Sequence, residues 1–393
     1  MLRTAMKRLQ LLRQHLQTPS PSKPSAPKLL STSARDEGSQ GPLAGLKAPL
    51  CTQILADYGA DVIKVEQRGT GDDSRQWTNK RSITLDLKKP GGRDILLKLA
   101  KSSDVLIENF VPGKVEELGI GYDVVSRINP HIIYASISGY GPSGPYAKRA
   151  GYDAIAAAEA GLVHNSGEPG QLPVRPGLGM VDMCTGLYML GAILAALNAR
   201  GKTGKGQKLD ASLFETQISL LINIGANWLN LGLEGKRHGY MAPGANNDRQ
   251  FKILAERIGR KDLLQDLRFQ TNGARVQHCE TLDGILNDIL QEKPIDEWMV
   301  VFGGSGLAHG PVNTIEKAFQ YPQIHARNMV ESLPCEDVEA GELRVIGVPV
   351  KFGETKGSIR SRVPFLGEHS DEILAEMSYT QVEREELRSR EVI

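Results

Sequence analysis

The chain has 393 residues, 40% hydrophobic and 24% charged, with a formal net charge of +1. These are ordinary globular values, and the near-neutral balance leaves no electrostatic footprint for nucleic acid or for an anionic membrane. Aromatic residues make up only 5%, too few for a base-stacking platform, while the length allows two or three domains with a sizeable core.

Residues 1–35 carry seven basic residues and no acid, the first being Asp36. In MLRTAMKRLQLLRQHLQ, the side chains of Leu2, Met6, Leu9, Leu12 and Leu16 fall along one helical face, with Arg3, Lys7 and Arg13 largely off it. A Ser/Pro-rich stretch, TPSPSKPSAPKLLSTSAR, follows. An amphipathic, Arg- and Ser-rich, acid-free start is the composition of a mitochondrial transit peptide, and the continuous apolar core of a secretory signal is missing. A disordered basic tail is the plainer alternative. Residues 1–38 are therefore set outside the fold, and the mitochondrial matrix is the expected compartment.

Beyond the leader, short β-branched runs alternate with helical patterns. Residues 51–58 read as helix, and Ala60–Glu66 as a buried strand. Arg81–Leu87 is a second strand, followed by a helix over 90–101 with proline in its first turn. Asp104–Asn109 and His131–Ser138 are further strands. Strands separated by helices predict an α/β fold with a Rossmann-like parallel sheet, whose function sits in the loops beyond the strand C-termini. Two long helices are expected at 183–200 and 213–231. The first is apolar enough to raise a membrane span, but Thr185, Asn198 and Arg200 within it favour a core helix.

Lys202–Gln207 lacks the order of a phosphate loop and reads as a turn. No G-x-G-x-x-G follows a strand, so a nicotinamide or flavin enzyme is unsupported. From 245 to 315 the pattern is helical and more charged, as for a smaller domain, and 343–352 returns to strand character. Four cysteines, at 51, 184, 279 and 335, form neither a C-x-x-C pair nor a Cys/His zinc spacing. Free thiols and no metal site are expected.

One carboxylate stands apart. Asp182 lies where a glycine-punctuated loop, Val174–Gly179, enters the apolar helix. That position suits a helix N-cap, and equally a nucleophile kept ionised by helix amides.

Several segments, in order from about 41 to 390, resemble the class III CoA-transferases, the family of formyl-CoA and carnitine-CoA transferases. They are Ala60–Glu66, Asn79–Ile83, Glu108-Asn109-Phe110-x-Pro112-Gly113, Ser138–Gly141, Arg149–Asp153, Thr203–Gln207, Gly310–Val312 and Leu366–His369. The resemblance is strongest to the mitochondrial branch that moves CoA between dicarboxylates. It implies a large Rossmann-like domain, a smaller α+β domain and an interlocked homodimer. The corresponding spans are 39–212 for the large CoA-binding domain, 213–244 for a linker helix, 245–315 for the small domain, and 316–393 for a segment returning to the large one.

The resemblance also implies roles. Asp182, followed by Thr185 and Gly186, matches the family's D-x-x-T/S-G motif, whose aspartate is the nucleophile. CoA would pass from succinyl-CoA to glutarate or hydroxymethylglutarate through an aspartyl anhydride and an aspartyl-CoA thioester. CoA thioesters are substrates here, and no permanently bound cofactor is implied. Contacts to CoA carry over to Arg68, to Leu85, Asp86, Leu87 and Lys88, to Asn109, Phe110 and Val111, and to Arg149, Ala150, Gly151, Tyr152 and Asp153. Arg175, seven residues before Asp182, is a candidate clamp for the distal carboxylate of a dicarboxylic acid.

Three family segments look absent: a strand and loop after Lys47, a stretch around Thr78, and two small-domain strands after Pro243. Gln67 also stands where the family usually has arginine, with Arg68 beside it. Loss of a central strand would expose two strand edges. A shortened, non-catalytic chain is therefore an alternative. A 2-methylacyl-CoA racemase is a third, weakened by Tyr152 where racemases resemble Gly-His-Asp.

Overall fold

The computed structural model describes residues 26–32, 47–72, 77–237 and 247–393. Their contacts separate into two units: one holding the described residues up to 160 with 177–220 and 331–393, the other holding 161–176 and the described residues of 221–330.

The first unit is built on a six-stranded sheet in the order β3-β2-β1-β4-β5-β6, every pairing parallel. The strands are β1 (Lys28–Thr32), β2 (Asp61–Glu66), β3 (Lys80–Thr84), β4 (Val105–Glu108), β5 (Ile133–Ser138) and β6 (Gln207–Ser212). This is the doubly wound order, in which the chain winds outward from a switch point between β1 and β4. A parallel sheet with helices on both faces must bury both sides of its strands. Accordingly β4 and β5 are buried at every position.

One core contains Ile63, Val65, Ile83, Leu106 and Tyr134 under helix α2 (Pro90–Lys101), which contributes Ile95, Leu96 and Leu99. The opposite core contains Val62, Val105, Ile107 and Ile133 under helix α1 (Lys47–Asp57). Pro90 opens α2 where the missing N–H has no intrahelical use.

Two expectations need correction. Residues 28–32, assigned above to the leader, form β1 and lie between β2 and β4. The central strand judged missing after Lys47 is thus supplied from upstream. The helix expected over 213–231 is broken: Leu213–Leu220 and Ile222–Leu231 are separate, with Ile222 at φ 40°. That left-handed backbone is costly for a β-branched residue. The break falls at the boundary between the units.

The outer edge of β3 is covered by the returning C-terminal segment. Ser82 Oγ accepts from Gly367 N (2.9 Å), His369 N donates to Ser82 O (3.0 Å), and Ser82 N donates to His369 Nδ1 (3.2 Å). The L-G-E-H motif therefore closes an otherwise unpaired strand edge. The chain end packs inward as well, with Val392 and Ile393 buried in the α2-side core.

The described elements of the second unit are helices, apart from Val330, which opens a short strand. Phe251, Leu254, Phe269, Leu286, Trp298 and Phe302 form its core.

Candidate active site

Each strand of the sheet ends on a polar residue: Thr32, Glu66, Thr84, Glu108, Ser138 and Ser212. These tips lie on the edge where doubly wound sheets take ligands, and all but Thr84 are buried. Most of them turn the chain into its next loop. Glu66 accepts from Asp72 N (3.1 Å) and from Ser82 Oγ (2.6 Å). Glu108 accepts from Phe110 N (2.8 Å), fixing the Asn109–Val111 loop. Burial pushes the Glu108 carboxyl up to about 7, against hydrogen bonds from Ser136 and the Phe110 amide that act to lower it. Ser138 Oγ accepts from Gly141 N (3.0 Å), where the chain adopts φ 90°.

Asp182 is the third residue of helix α4 (Met180–Thr203) and is 1% exposed. It is not the helix cap. Asp153, the first residue of helix α3 (Asp153–Glu159), accepts through Oδ2 from Val181 N (2.8 Å) and from Asp182 N (3.0 Å). One carboxylate thus caps the helix from outside, and the other sits within the turn that it caps. Thr185 Oγ1 donates to Val181 O (2.7 Å), fastening the same first turn. Below it, Met189, Ile193 and Ala196 sit in the α1-side core. The sequence predicts a core helix here. It is long and apolar enough to cross a membrane by length and composition, but it is two-faced, with Leu187, Tyr188 and Leu194 about half exposed.

The loop before α3 is held by close backbone packing. A Cβ at Gly139 would lie 2.8 Å from Gly151 Cα, and one at Gly151 would lie 2.8 Å from the Tyr140 ring. Only glycine fits at this contact. Arg149 pairs with Glu159 (2.7 Å) and lies over the rings of Tyr140 and Tyr146, at 5.5 and 5.8 Å. Tyr140 Oη donates to the same Glu159 (2.7 Å). Tyr152 is half exposed beside this cluster in sequence.

The remaining residues expected at CoA spread along the same edge. Arg68 Nε donates to the main-chain oxygen of Ile393 (3.1 Å), and Arg68 lies 3.5 Å from Glu391. Asp86 N donates to Val392 O (2.8 Å), so the Leu85–Lys88 segment meets the chain end too. A cavity of about 340 Å³ opens there, lined by Arg68, Gly69, Thr84, Leu366, Gly367 and Arg388 among others. Leu85 is 1% exposed and belongs to the core, with its N–H donated to Glu66 O (2.9 Å), so it is a packing residue rather than a ligand contact. Leu87 and Phe110 pack partly buried against that core, while Lys88 and Val111 are exposed. Asp153, expected at CoA, has its Oδ2 committed to the α4 amides instead. Arg175 is exposed and belongs to the second unit.

Sequence reading missed two buried lysines. Lys64 pairs with Asp72 (2.8 Å), and Lys80 Nζ donates to Pro49 O and Thr52 Oγ1 (both 2.8 Å). Burial, and then the charge of Lys64, hold Lys80 well below its usual range. A lysine inside an apolar strand run was the available signal. The turn read at 202–207 is shorter, only 204–206 lying between the end of α4 and the start of β6: Gly204 ends α4 in the left-handed region, and a Cβ at Gly206 would meet Ile132 O at 2.1 Å. Among the described residues no cluster of potential metal ligands occurs.

Comparison with known proteins matches residues 44–370 to the family model described as CoA-transferase family III. The chain belongs to CoA-transferase family III. An acyl-CoA transferase of Fusarium pseudograminearum is 48% identical over 86% of this chain and 85% of its own length. The succinyl-CoA:glutarate CoA-transferase of Homo sapiens is 38% identical over 84% of this chain and 83% of its own. A CAIB/BAIF family protein from Brucella suis has a crystal structure that superposes with TM-score 0.75 at 33% identity, over 90% of this chain and 99% of that one. The chain is therefore a CoA-transferase with the α/β architecture of this family.

Proposed function

We propose that this CoA-transferase moves CoA from succinyl-CoA to a dicarboxylic acid, glutarate or hydroxymethylglutarate, with Asp182 as nucleophile. The observation that carries the role is the placement of Asp182: it is buried as the third residue of α4, in a first turn whose Val181 and Asp182 amides are held from outside by Asp153. The choice of acids is supported by family III relatives named for succinyl-CoA and glutarate.

In the first step the Asp182 carboxylate attacks the thioester carbonyl, and the C–S bond breaks to give an aspartyl–succinyl anhydride and CoA thiolate. The thiolate then attacks the aspartyl carbonyl, releasing succinate and leaving an aspartyl-CoA thioester. The acceptor carboxylate attacks that thioester, again expelling thiolate and forming the acceptor's anhydride. Attack of thiolate on the acceptor acyl carbon yields the new acyl-CoA and restores the Asp182 carboxylate. Covalent catalysis replaces one hard exchange by four easier ones. The first amides of α4 are already committed to Asp153, Leu178 O and Gly179 O, so in this reading the donors for the developing oxyanions come from the glycine-punctuated turn before the helix.

In this reading Arg68 and the 85–88, 109–111 and 149–152 segments hold CoA, and Arg175 pairs with the distal carboxylate of the acid. The working form is a homodimer in the mitochondrial matrix, the exposed Leu187, Tyr188 and Leu194 stripe of α4 supporting a partner copy. The shortened, non-catalytic alternative loses its main support once β1 fills the sheet.

The test is chemical trapping. Purified protein is incubated with succinyl-CoA and hydroxylamine and analysed by peptide mass spectrometry. A hydroxamate at Asp182, absent in Asp182→Asn, is the expected result. A folded, CoA-binding protein that turns over without any adduct at Asp182 would overturn the mechanism.

A further inference from the structure

The basic, Ser/Pro-rich start of the chain contains a piece that behaves as core. Leu30 is fully buried among Ile63, Val65 and Leu106 on one face of the sheet. Leu29, 2% exposed, lies with Val62, Val105 and Ile107 on the other. Adjacent leucines pointing to opposite cores are what a central parallel strand requires. The backbone agrees on both sides. Residues 28–32 pair with Asp61–Val65, and residues 29–32 with Val105–Glu108. The entry is fastened by Asp61 N to Pro27 O (3.0 Å), Asp104 N to Lys28 O (2.7 Å) and Lys28 N to Asp104 Oδ2 (2.9 Å).

Neighbouring strands stand about 4.8 Å apart, so β2 and β4 are separated by roughly twice that and cannot bond each other without β1. Its removal would leave the facing N–H and C=O groups of two buried strands unpaired. It would also remove one wall of the switch point, the crevice that a doubly wound sheet offers a ligand. Thr32, at that tip, is 1% exposed, in register with Glu108.

We infer that residues 28–32 are a permanent strand of the catalytic unit, and that any cut releasing the N-terminal leader falls before Lys28. The leader and the fold therefore overlap in composition but not in role: the Ser/Pro-rich stretch ends inside the sheet. The cleavage part rests on the leader proposed above; the folding part does not.

Thermal unfolding followed by circular dichroism separates the outcomes. A chain beginning at Ala26 should melt cooperatively at the midpoint of the full chain. A chain beginning at Arg35 should show no cooperative transition. In the full-length protein Leu30→Asp should lower the midpoint by on the order of 10 °C, and Leu9→Asp should leave it unchanged. A chain beginning at Arg35 that melts like the full chain, or a Leu30→Asp variant with an unshifted midpoint, overturns the inference. N-terminal mass spectrometry of the protein recovered from mitochondria should find a start at or before Lys28; a folded mature chain starting beyond Thr32 overturns it as well. None of these readouts measures CoA transfer, so their failure and failure of the proposed reaction are distinguishable.

Discussion

At the entrance to β3, Asp57 Oδ1 accepts from Gln53 (2.7 Å) and Asn79 (2.8 Å), and Asn79 in turn donates to Ser358 O (2.9 Å) and accepts from the Ser361 amide (3.0 Å). At the opposite end of the sheet, Glu108 accepts from the Phe110 amide and Asp153 accepts from two α4 amides. Both regions bury carboxylates, and in both burial is answered by hydrogen bonds. The difference lies in what the bonds hold. Near Asn79 they join distant pieces of chain, 53–57, 78–79 and 358–361, beside a cavity of about 300 Å³. At the strand C-termini the acceptors hold backbone amides, the Phe110 amide in a loop and the Val181 and Asp182 amides at a helix start, so the bonds there set the course of the chain beyond the sheet. Buried charge at the first end joins separate segments; at the second it orients the amides that begin a loop and a helix.

Three experiments can break or sharpen that contrast. The largest effect is expected from Asp153→Ala. Loss of the external cap should cost about 1–2 kcal/mol of stability and, by letting the first turn of α4 shift, reduce kcat/KM by roughly 100-fold. Asp153→Asn, which keeps an acceptor, should recover most of it. Equal losses in both variants would mean that Asp153 acts by charge rather than by positioning.

The next effect is from Asn79→Ala. It removes the donor to Asp57 and Ser358 O, the acceptor for the Arg360 and Ser361 amides, and a residue adapted to φ 59°, for about 2–3 kcal/mol of destabilisation. The transfer rate per folded molecule should stay within about twofold of the parent, since losses under 0.5 kcal/mol are expected away from the site. A large fall in kcat without loss of stability would erase the distinction between the two ends.

The smallest effect is in pH dependence. Burial raises Glu108 from 4.5 to about 7 and Asp57 from 3.8 to about 6. A carboxyl whose folded pKa is raised binds its proton more tightly in the folded state. Its contribution is therefore present below the unfolded pKa and is lost as pH rises through the folded one. Urea unfolding should show stability falling between about pH 4.5 and 7, and Glu108→Gln should flatten the upper part of that fall. An unchanged slope in the variant would assign the titration to other groups.

Much of the architecture was readable residue by residue. The run Val62–Glu66 and the run Val105–Glu108 announce themselves because a strand buried on both faces must be apolar almost throughout. The helix at 90–101 is legible because proline at its start and apolar spacing act locally. Asp182 was legible as a carboxylate at a loop–helix junction, but whether it capped the helix was not. The answer depends on Asp153, distant in sequence, and no local pattern reports which carboxylate reaches the amides first. The two-faced character of α4 escaped for a related reason: an all-apolar stretch has no periodicity to say which side is covered.

The five residues Lys28–Thr32 mark the boundary most clearly. By itself the sequence determined the leader-like composition around them, the alternation of strands and helices after them, and the family motifs, because those signals are carried by neighbouring residues and by order along the chain. Only the tertiary structure decided that KLLST is the central strand. A five-residue segment with two leucines among polar residues has too little local preference to choose between a solvated tail and a sheet; the place between β2 and β4, with two cores to fill and two rows of backbone groups to pair, makes the choice for it.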